Sequence, residues 1–363
     1  MKHFLKLLIA VGLLAALAVV PTQAQSSSVT ITLAGYSVVQ NTYAKIIPLF
    51  TDYWKQKTGQ DVTFQQSYLA SGAQGRAVAG GFEADVVALS LEGDVNTVVK
   101  AGLITHDWKD NAYGGMISDS EVVLVVRQGN PKGIQDWADL AKSGIEVITP
   151  DAGTSGGAKW NVMGAYGAAY RGKVAGFGSG DDGAKQFLAA LFTNVSVMDA
   201  SGADSYKTFE RGVGDVAITY ENQYFAGQAA GDNFQIVYPS STLLIENPIA
   251  LVDTYVDKHG TRDVTQAFID FLYRPDIQAI FASDGFRPPV LKNPSDATPE
   301  AGATAEATPA ATAAATGTAS AVTFPVIQDQ FTIDDFGGWS KVNTDVFGDS
   351  GVYTQVIAQV KGS

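Results

Sequence analysis

The sequence predicts an α/β protein assembled from parallel strand–helix units. Short apolar runs rich in β-branched residues recur along the 363-residue chain, and stretches with the helical spacing of apolar residues lie between them. A prior of one domain per ~150 residues gives two domains for a chain of this length. No internal repeat of fixed period is visible, so a solenoid or propeller is not predicted.

Strands are predicted where apolar and β-branched residues run together between turn residues. In chain order they are Val29–Ala34, Asp61–Gln65, Val86–Ala88, Val122–Arg127, Glu146–Ile148, Val195–Met198, Val216–Tyr220 and Ile249–Val252. The first helix is predicted for Thr42–Thr58, because its apolar residues fall at helical spacing and Gly59 offers a stop. Further helices are predicted for Gln74–Ala79, Val95–Ala101, Ile134–Leu140, Lys159–Arg171, Ala184–Thr193, Tyr206–Arg211 and Val264–Leu272.

Residues 1–24 have the pattern of a secretory signal peptide. Lys2 and Lys6 make a basic start, Leu7–Val20 is apolar, and Ala24 ends a segment of small residues. The apolar run is shorter than the ~20 residues that a membrane span needs. Loss of the two lysines takes the formal net charge from −13 to −15. We therefore expect an exported, acidic protein.

Charge and composition exclude several classes of function. A strongly acidic chain disfavours nucleic acid, whose phosphates need a basic face. The absence of cysteine removes thiol catalysis, thiolate metal sites and the lipidated cysteine of a lipoprotein anchor. Only His106 and His259 follow the signal segment, so we expect no metal site and no cofactor. Binding, or a simple hydrolase, is favoured.

One internal segment departs from the α/β pattern. Between Asp296 and Ala321, 18 of 26 residues are Ala or Thr, with two prolines and no large apolar side chain. Such a stretch buries too little surface to offset its ordering entropy, so residues 293–323 are predicted to be a disordered insertion. The aromatic residues Phe331, Phe336 and Trp339 then predict a tail that packs back onto the body.

Three turns of small residues follow predicted strands. They are Thr154-Ser155-Gly156-Gly157, Ser71-Gly72 and Ala34-Gly35-Tyr36-Ser37. A helix that starts after such a turn presents free backbone N–H groups and the positive end of its dipole to an anion. Open α/β sheets bind ligands beyond the carboxyl ends of their strands, where these turns lie. Simple capping by Thr154 or Ser155 is the equally weighted alternative.

Six strings in order resemble the periplasmic sulfate/thiosulfate-binding proteins of ABC importers. They are RQGNPK (127–132), WADL (137–140), VITP (147–150), TSGGAKWN (154–161), GVGDV (212–216) and FTIDDFGGW (331–339), within a resemblance spanning about Val29 to Trp339. The resemblance implies a type II periplasmic-binding-protein fold. Each of its two lobes is a mixed, mostly parallel sheet flanked by helices, and two crossover strands form the hinge. Lobe I would comprise residues 29–120 plus 250–363, and lobe II residues 121–249.

The resemblance also implies the ligand and its site. Sulfate, a dehydrated dianion, would be held in the interlobe cleft by uncharged donors at Ser37, Ser71, Ser155, Gly156, Gly157, Ala203 and Tyr220. Familiar members carry Asp where Ser37 stands, but that donor is main chain. They carry a tryptophan N–H donor where Tyr220 stands, and a phenol, unlike an indole, can also accept. Thiosulfate, molybdate or another tetrahedral oxyanion therefore remains an alternative ligand.

A donor-only site would also discriminate between anions. Sulfate carries no proton at neutral pH, whereas the proton of phosphate would lack an acceptor, at a cost of ~1–3 kcal/mol. The implied mechanism is lobe closure, with hinge segments near Val122–Arg127 and Ile249–Val252, followed by docking on ABC permease subunits. We expect a periplasmic monomer without a lipid anchor.

Two further functions fit single features of the sequence. Gly153–Gly157 matches the G-x-S-x-G nucleophile elbow, which makes a secreted serine hydrolase with Ser155 and His259 a remote alternative. The elbow needs a strand that runs directly into its first glycine, and three residues intervene here. Trp54, Trp108 and Trp137 leave a sugar-binding surface open, although core packing explains them as well.

Overall fold

The computed structural model describes residues 28–292 and 322–362. The predicted signal peptide and nearly all of the predicted insertion 293–323 lie outside these ranges. The described strands are β1 (Val29–Tyr36), β2 (Val62–Leu69), β3 (Val86–Ala88), β4 (Met116–Arg127), β5 (Val147–Ile148), β6 (Val195–Val197), β7 (Val216–Tyr220), β8 (Phe234–Val237), β9 (Thr242–Leu251) and β10 (Gln330–Phe331).

Helices connect most of these strands, as the alternation in the sequence predicts. They are α1 (Gln40–Thr58), α2 (Ser71–Ala79), α3 (Glu92–Lys100), α4 (Gly156–Tyr170), α5 (Gly180–Thr193), α6 (Gly202–Glu210), α7 (Glu221–Ala230), α8 (Asp253–His259), α9 (Arg262–Leu272), α10 (Pro275–Ser283), α11 (Gly338–Asp345) and α12 (Val352–Lys361). Helix α1 ends where predicted, with Gly59 in the left-handed conformation at φ 76°. The segment 134–140, predicted as a helix, contains only a 3-10 turn at Trp137–Ala141.

The strands form two groups, joined by β4 and β9. The order is β2-β1-β3-β9-β4-β7-β5-β6, with β10 beside β9 and β8 beside β4. In the first group β1 lies parallel to β2 and β3, and in the second β5 lies parallel to β6 and β7. We keep the names lobe I and lobe II for the units built on these two groups. The predicted mixed, mostly parallel α/β architecture is confirmed.

Strands β4 and β9 cross between the two groups as an antiparallel pair. Residues 116–121 pair with 244–248, after which β4 joins β7 and β9 joins β3. The crossing therefore lies outside the segments 122–127 and 249–252 that the sequence suggested for the hinge. Buried polar residues such as Asp119 and Glu121 interrupt the apolar run, so the first half of β4 carries no strand signal in the sequence.

Each lobe has an apolar core behind its sheet. In lobe I, Phe50 of α1 packs edge-on against Phe268 and Phe271 of α9 at ring-centroid distances of 5.1 and 5.4 Å. In lobe II, Trp137 and Phe187 are fully buried. These aromatic residues belong to one large buried apolar cluster that extends through both groups of strands.

The tail packs back onto the body, and several of its aromatic contacts are with α4 and α5. Phe331 is buried, as predicted, and Trp339 meets Trp160 of α4 at 4.6 Å. Tyr353 of α12 lies 5.3 Å from Phe192 of α5. The tail also lies against lobe I, because a Cβ built on Gly93 of α3 would stand 2.9 Å from Asn343 Nδ2 of α11.

Candidate anion-binding site

A small cavity lies between the lobes, at the carboxyl ends of the central strands. Its walls are formed by uncharged side chains and backbone, from Tyr36, Ser37, Val38, Ala70, Ser71, Ser90, Pro150, Ser155, Gly157, Asn161, Gly202, Thr219, Tyr220 and Gln223. None of these fourteen described residues carries a formal charge. The empty space among these residues is about 310 Å³, a figure that includes open solvent.

Several helices begin at this cavity. Ser37 opens a 3-10 turn, Ser71 opens α2, Gly156 opens α4, Gly202 opens α6, and α7 begins one residue after Tyr220. The first N–H groups of a helix have no acceptor within it. Their partial positive charges add to the dipoles, so the converging ends form an environment suited to an anion.

Ser155 is the N-cap of α4 and also faces the cavity. Its Oγ accepts a hydrogen bond from the Ala158 N–H at 3.3 Å. Accepting this bond uses a lone pair and leaves the hydroxyl proton available for a ligand. The capping role that the sequence left open is therefore present and compatible with anion binding.

Gly156 and Gly157 bring their amides close to both lobes. A Cβ built on Gly156 would stand 2.7 Å from Ser90 Oγ and 3.0 Å from Asp94 Oδ2. On Gly157 it would stand 3.6 Å from the Tyr220 hydroxyl. The double glycine thus permits an approach between lobes that a side chain at position 156 would obstruct.

The Ser71 hydroxyl is occupied within lobe I. It donates to Asp94 Oδ2 at 2.5 Å and accepts from the Ser90 N–H at 2.9 Å. Burial raises the pKa of Asp94, and the Ser71 hydrogen bond partly opposes this. Ser71 can therefore offer a ligand its backbone N–H at the start of α2, rather than its hydroxyl.

Tyr220 is buried and meets Ser90 across the interlobe boundary. The Tyr220 hydroxyl and Ser90 Oγ are 2.6 Å apart, and either can be the donor. The Ser90 carbonyl accepts from Trp160 Nε1 at 2.8 Å and from Asn247 Nδ2 at 2.9 Å. Burial raises the pKa of Tyr220, so the phenol is neutral.

The structure assembles most of the predicted site residues. Ser37, Ser71, Ser155, Gly157 and Tyr220 line the cavity, and Gly156 stands beside them. Ala203 lies instead in the wider cleft outside, which it shares with Ser37, and its neighbour Gly202 takes the cavity position.

Sequence reasoning missed some lining residues, of which Ser90 matters most. Ser90 follows β3 and stands just before α3, which is the same strand, small residue and helix order as in the three turns that were identified. Asn161, Thr219 and Gln223 also line the cavity. Asn161 lies inside α4, Thr219 near the end of β7 and Gln223 in the first turn of α7. No sequence signal marks these positions as part of a site.

The structure does not join Ser155 to a histidine. His259 Nδ1 contacts Asp85 Oδ1 at 2.9 Å, and Asp85 precedes β3 while Ser90 follows it. His259 therefore lies at the opposite edge of the sheet from the cavity. His106 pairs with Asp253 at 2.6 Å. Within residues 28–292 and 322–362, neither histidine is therefore paired with Ser155.

A sugar-binding surface gains no support from the structure. The cavity is lined by none of the five tryptophans, and Trp137 is fully buried. Within residues 28–292 and 322–362, no cluster of three or more His, Asp or Glu has the arrangement of a metal site. Among the helices described in these ranges, none combines the length and the hydropathy that a membrane span requires.

Comparison with known proteins gives consistent results. Residues 32–287 match the family model of bacterial extracellular solute-binding proteins. The chain is 42% identical to a sulfate-binding protein of Synechococcus elongatus, over 92% of this chain and 88% of that protein. It is 31% identical to a thiosulfate-binding protein of Pseudomonas aeruginosa, over 88% and 90%. The solved structure of the sulfate-binding protein SubI from Mycobacterium tuberculosis matches with a TM-score of 0.72 and 36% identity, over 88% of this chain and 99% of that one.

Proposed function

The chain belongs to the family of bacterial extracellular solute-binding proteins, and we propose that it is the sulfate receptor of an ABC importer. The observation that carries this function is the uncharged cavity at the meeting point of several helix N-termini. The relatives named as sulfate-binding proteins supply the ligand class. A binding role needs neither a nucleophile–base pair nor a metal.

The cavity can hold a dianion without a countercharge. Backbone N–H groups at Gly156 and Gly157, with the Ser155 and Tyr220 hydroxyls, supply donors from lobe II, and Ser37 and Ser71 supply them from lobe I. Hydrogen bonds to a charged group contribute ~1.5–3 kcal/mol each, so several together can offset the cost of desolvating sulfate. Because they come from both lobes, binding favours the closed form. Ala203, in the outer cleft, would contribute only with further closure.

Transport follows from this closure. The lobes, with residues 29–120 and 250–292 in lobe I and 121–249 plus the tail in lobe II, close about β4 and β9. The closed form then docks on the permease. Residues 1–24 direct export, and the receptor works as a periplasmic monomer.

Thiosulfate is the second ligand candidate. It is also a tetrahedral dianion without a proton at neutral pH, and two of the relatives are named as thiosulfate-binding proteins. Donors placed for one of these anions can serve the other. Their ranking is a matter of cavity size, which a competition experiment measures.

The test is calorimetric titration of the chain with sulfate in an anion-free buffer, followed by competition with thiosulfate and molybdate. We expect one-to-one binding. Ser155→Ala should weaken it by ~1–3 kcal/mol, through loss of one charge-assisted donor and an N-cap. Ser155→Thr, which keeps both hydroxyl functions, is the matched control. The absence of heat with every oxyanion would refute the proposed function.

A further inference from the structure

The pair formed by the Ser90 and Tyr220 hydroxyls differs chemically from a single N–H donor. The two oxygens are 2.6 Å apart and are joined by one hydrogen bond, in which either can be the donor. Two hydroxyls carry two protons, so the second proton points elsewhere. Both residues line the cavity, which makes the bound ligand a partner for the remaining proton or lone pair.

Because the main-chain groups of Ser90 are already hydrogen-bonded, only its hydroxyl is available to a ligand. Its N–H is donated to Ser71 Oγ, and its carbonyl accepts from Trp160 and Asn247. These three bonds hold the main chain of Ser90 in place. Its Oγ is thereby held against Gly156 at the start of α4, where the first free N–H groups of that helix lie.

The pair has two hydrogen-bonding arrangements, in which the Tyr220 hydroxyl can act towards a ligand either as a donor or as an acceptor. When Ser90 donates to the Tyr220 oxygen, the Tyr220 proton is free to donate to an anion. When Tyr220 donates to Ser90, a lone pair of the Tyr220 oxygen is free to accept a proton from a ligand. Changing between them needs only rotation of two hydroxyl groups, with no change of net charge.

We infer that the Ser90–Tyr220 pair determines anion selectivity, by letting the sulfate site also accept a tetrahedral oxyanion that carries one proton, such as hydrogen phosphate. This rests on the proposed function. A site of donors alone leaves the proton of that ligand unpaired, whereas the second arrangement pairs it. Selectivity for sulfate over phosphate is therefore lower in this chain than in a site with donors alone.

Ser90→Ala separates the two ligands. Tyr220 can still donate to sulfate in this variant. When Tyr220 accepts from hydrogen phosphate, however, its own proton loses Ser90 as acceptor. An unpaired buried hydroxyl should lower the affinity for hydrogen phosphate by roughly 5- to 150-fold. The ratio of phosphate Kd to sulfate Kd should rise by the same factor. Because Ser90 and Tyr220 belong to different lobes, a change in closure would affect both ligands alike and cancel in the ratio.

The experiment measures sulfate and phosphate Kd by calorimetry for the wild type, Ser90→Ala and Tyr220→Trp. Ser283→Ala on α10, whose hydroxyl bonds to the Ile280 carbonyl, is the matched control and should keep the wild-type ratio. Thermal melting checks folding, and Tyr220→Trp, a donor-only side chain, should raise the ratio if Ser90→Ala does not fold. Selenate and hydrogen arsenate, of similar size but different protonation, should repeat the pattern.

The outcomes are separable. A raised ratio in either variant with sulfate still bound supports the inference. An unchanged ratio in both, or a wild type that binds sulfate but no phosphate, overturns the inference and leaves the sulfate receptor standing. A wild type that binds neither anion refutes the proposed function itself.

Discussion

Replacing Gly156 by alanine tests whether ligand binding and lobe closure depend on the same contact. The new Cβ would lie 2.7 Å from Ser90 Oγ and 3.0 Å from Asp94 Oδ2, both on lobe I, whereas Gly156 begins α4 of lobe II. Ordinary contact starts near 3.4 Å, so one side must retreat by roughly 0.7 Å. Ser90 cannot easily do so, because Trp160 and Asn247 hold its carbonyl.

The penalty should fall on the closed form alone. Overpacking of this kind costs about 1–3 kcal/mol, which corresponds to a sulfate Kd raised by roughly 5- to 150-fold. The fold should keep its melting temperature without ligand in the open form, since the clash exists only between lobes and alanine is the better helix former.

Calorimetry gives the Kd of this variant, and small-angle scattering with and without sulfate gives the degree of closure. The control is Gly178→Ala, where the new Cβ meets its nearest neighbour at an ordinary 3.7 Å and should change neither quantity. Wild-type sulfate affinity in Gly156→Ala would refute the reasoning, because the bound state would then not contain this interlobe contact.

Three further predictions concern stability. Burial raises the pKa of Glu121 to about 8. Its ionisation therefore destabilises the fold as pH rises from the usual glutamate range through 8. Glu121→Gln should raise the melting temperature at pH 9 and change it little at pH 5. Burial opposes the charged form of His259, but hydrogen bonds to Asp85 and a second carboxylate hold its pKa above the usual value, giving stability that is complete below about pH 6.5 and lost as pH rises. Melting of His259→Gln should accordingly show a larger deficit at pH 5.5 than at pH 9. Trp339→Ala should cost about 3–5 kcal/mol in urea unfolding, because its ring is buried against Trp160; a cost below 1 kcal/mol would show that the tail is not anchored there.

Features determined by local chemistry could be predicted from the sequence. All eight predicted strands overlap strands of the structure, and they and α1 with its glycine stop follow from apolar periodicity and turn residues. The turns at Ser37, Ser71 and Ser155 could be linked to one another because parallel strands bring their carboxyl ends to one edge. The structure places all three in a single cavity.

Features determined by contacts between distant segments could not be predicted. The first half of β4 contains Asp119 and Glu121, whose burial depends on pairing with β9 and on neighbours such as Arg287, 3.8 Å from Glu121. The packing of the tail depends on surface complementarity with α4 and α5, which no periodicity reports. Ser90 was missed because a lone serine after a three-residue strand is a weak signal.

The charged side chains nearest the cavity stand behind its wall rather than in it. Asp94 accepts a hydrogen bond from the Ser71 hydroxyl in lobe I. Lys159 lies one turn along α4 in lobe II, where its ammonium group donates to Asn343 Oδ1 and burial lowers its pKa. A fixed cation in the wall would attract any anion, whatever its protonation. Because the charges stand behind hydroxyls and amides, the ligand meets groups that distinguish an oxygen with a proton from one without. The selectivity that we infer therefore depends on hydroxyl orientation, so loss of one serine hydroxyl, at position 90, should change it.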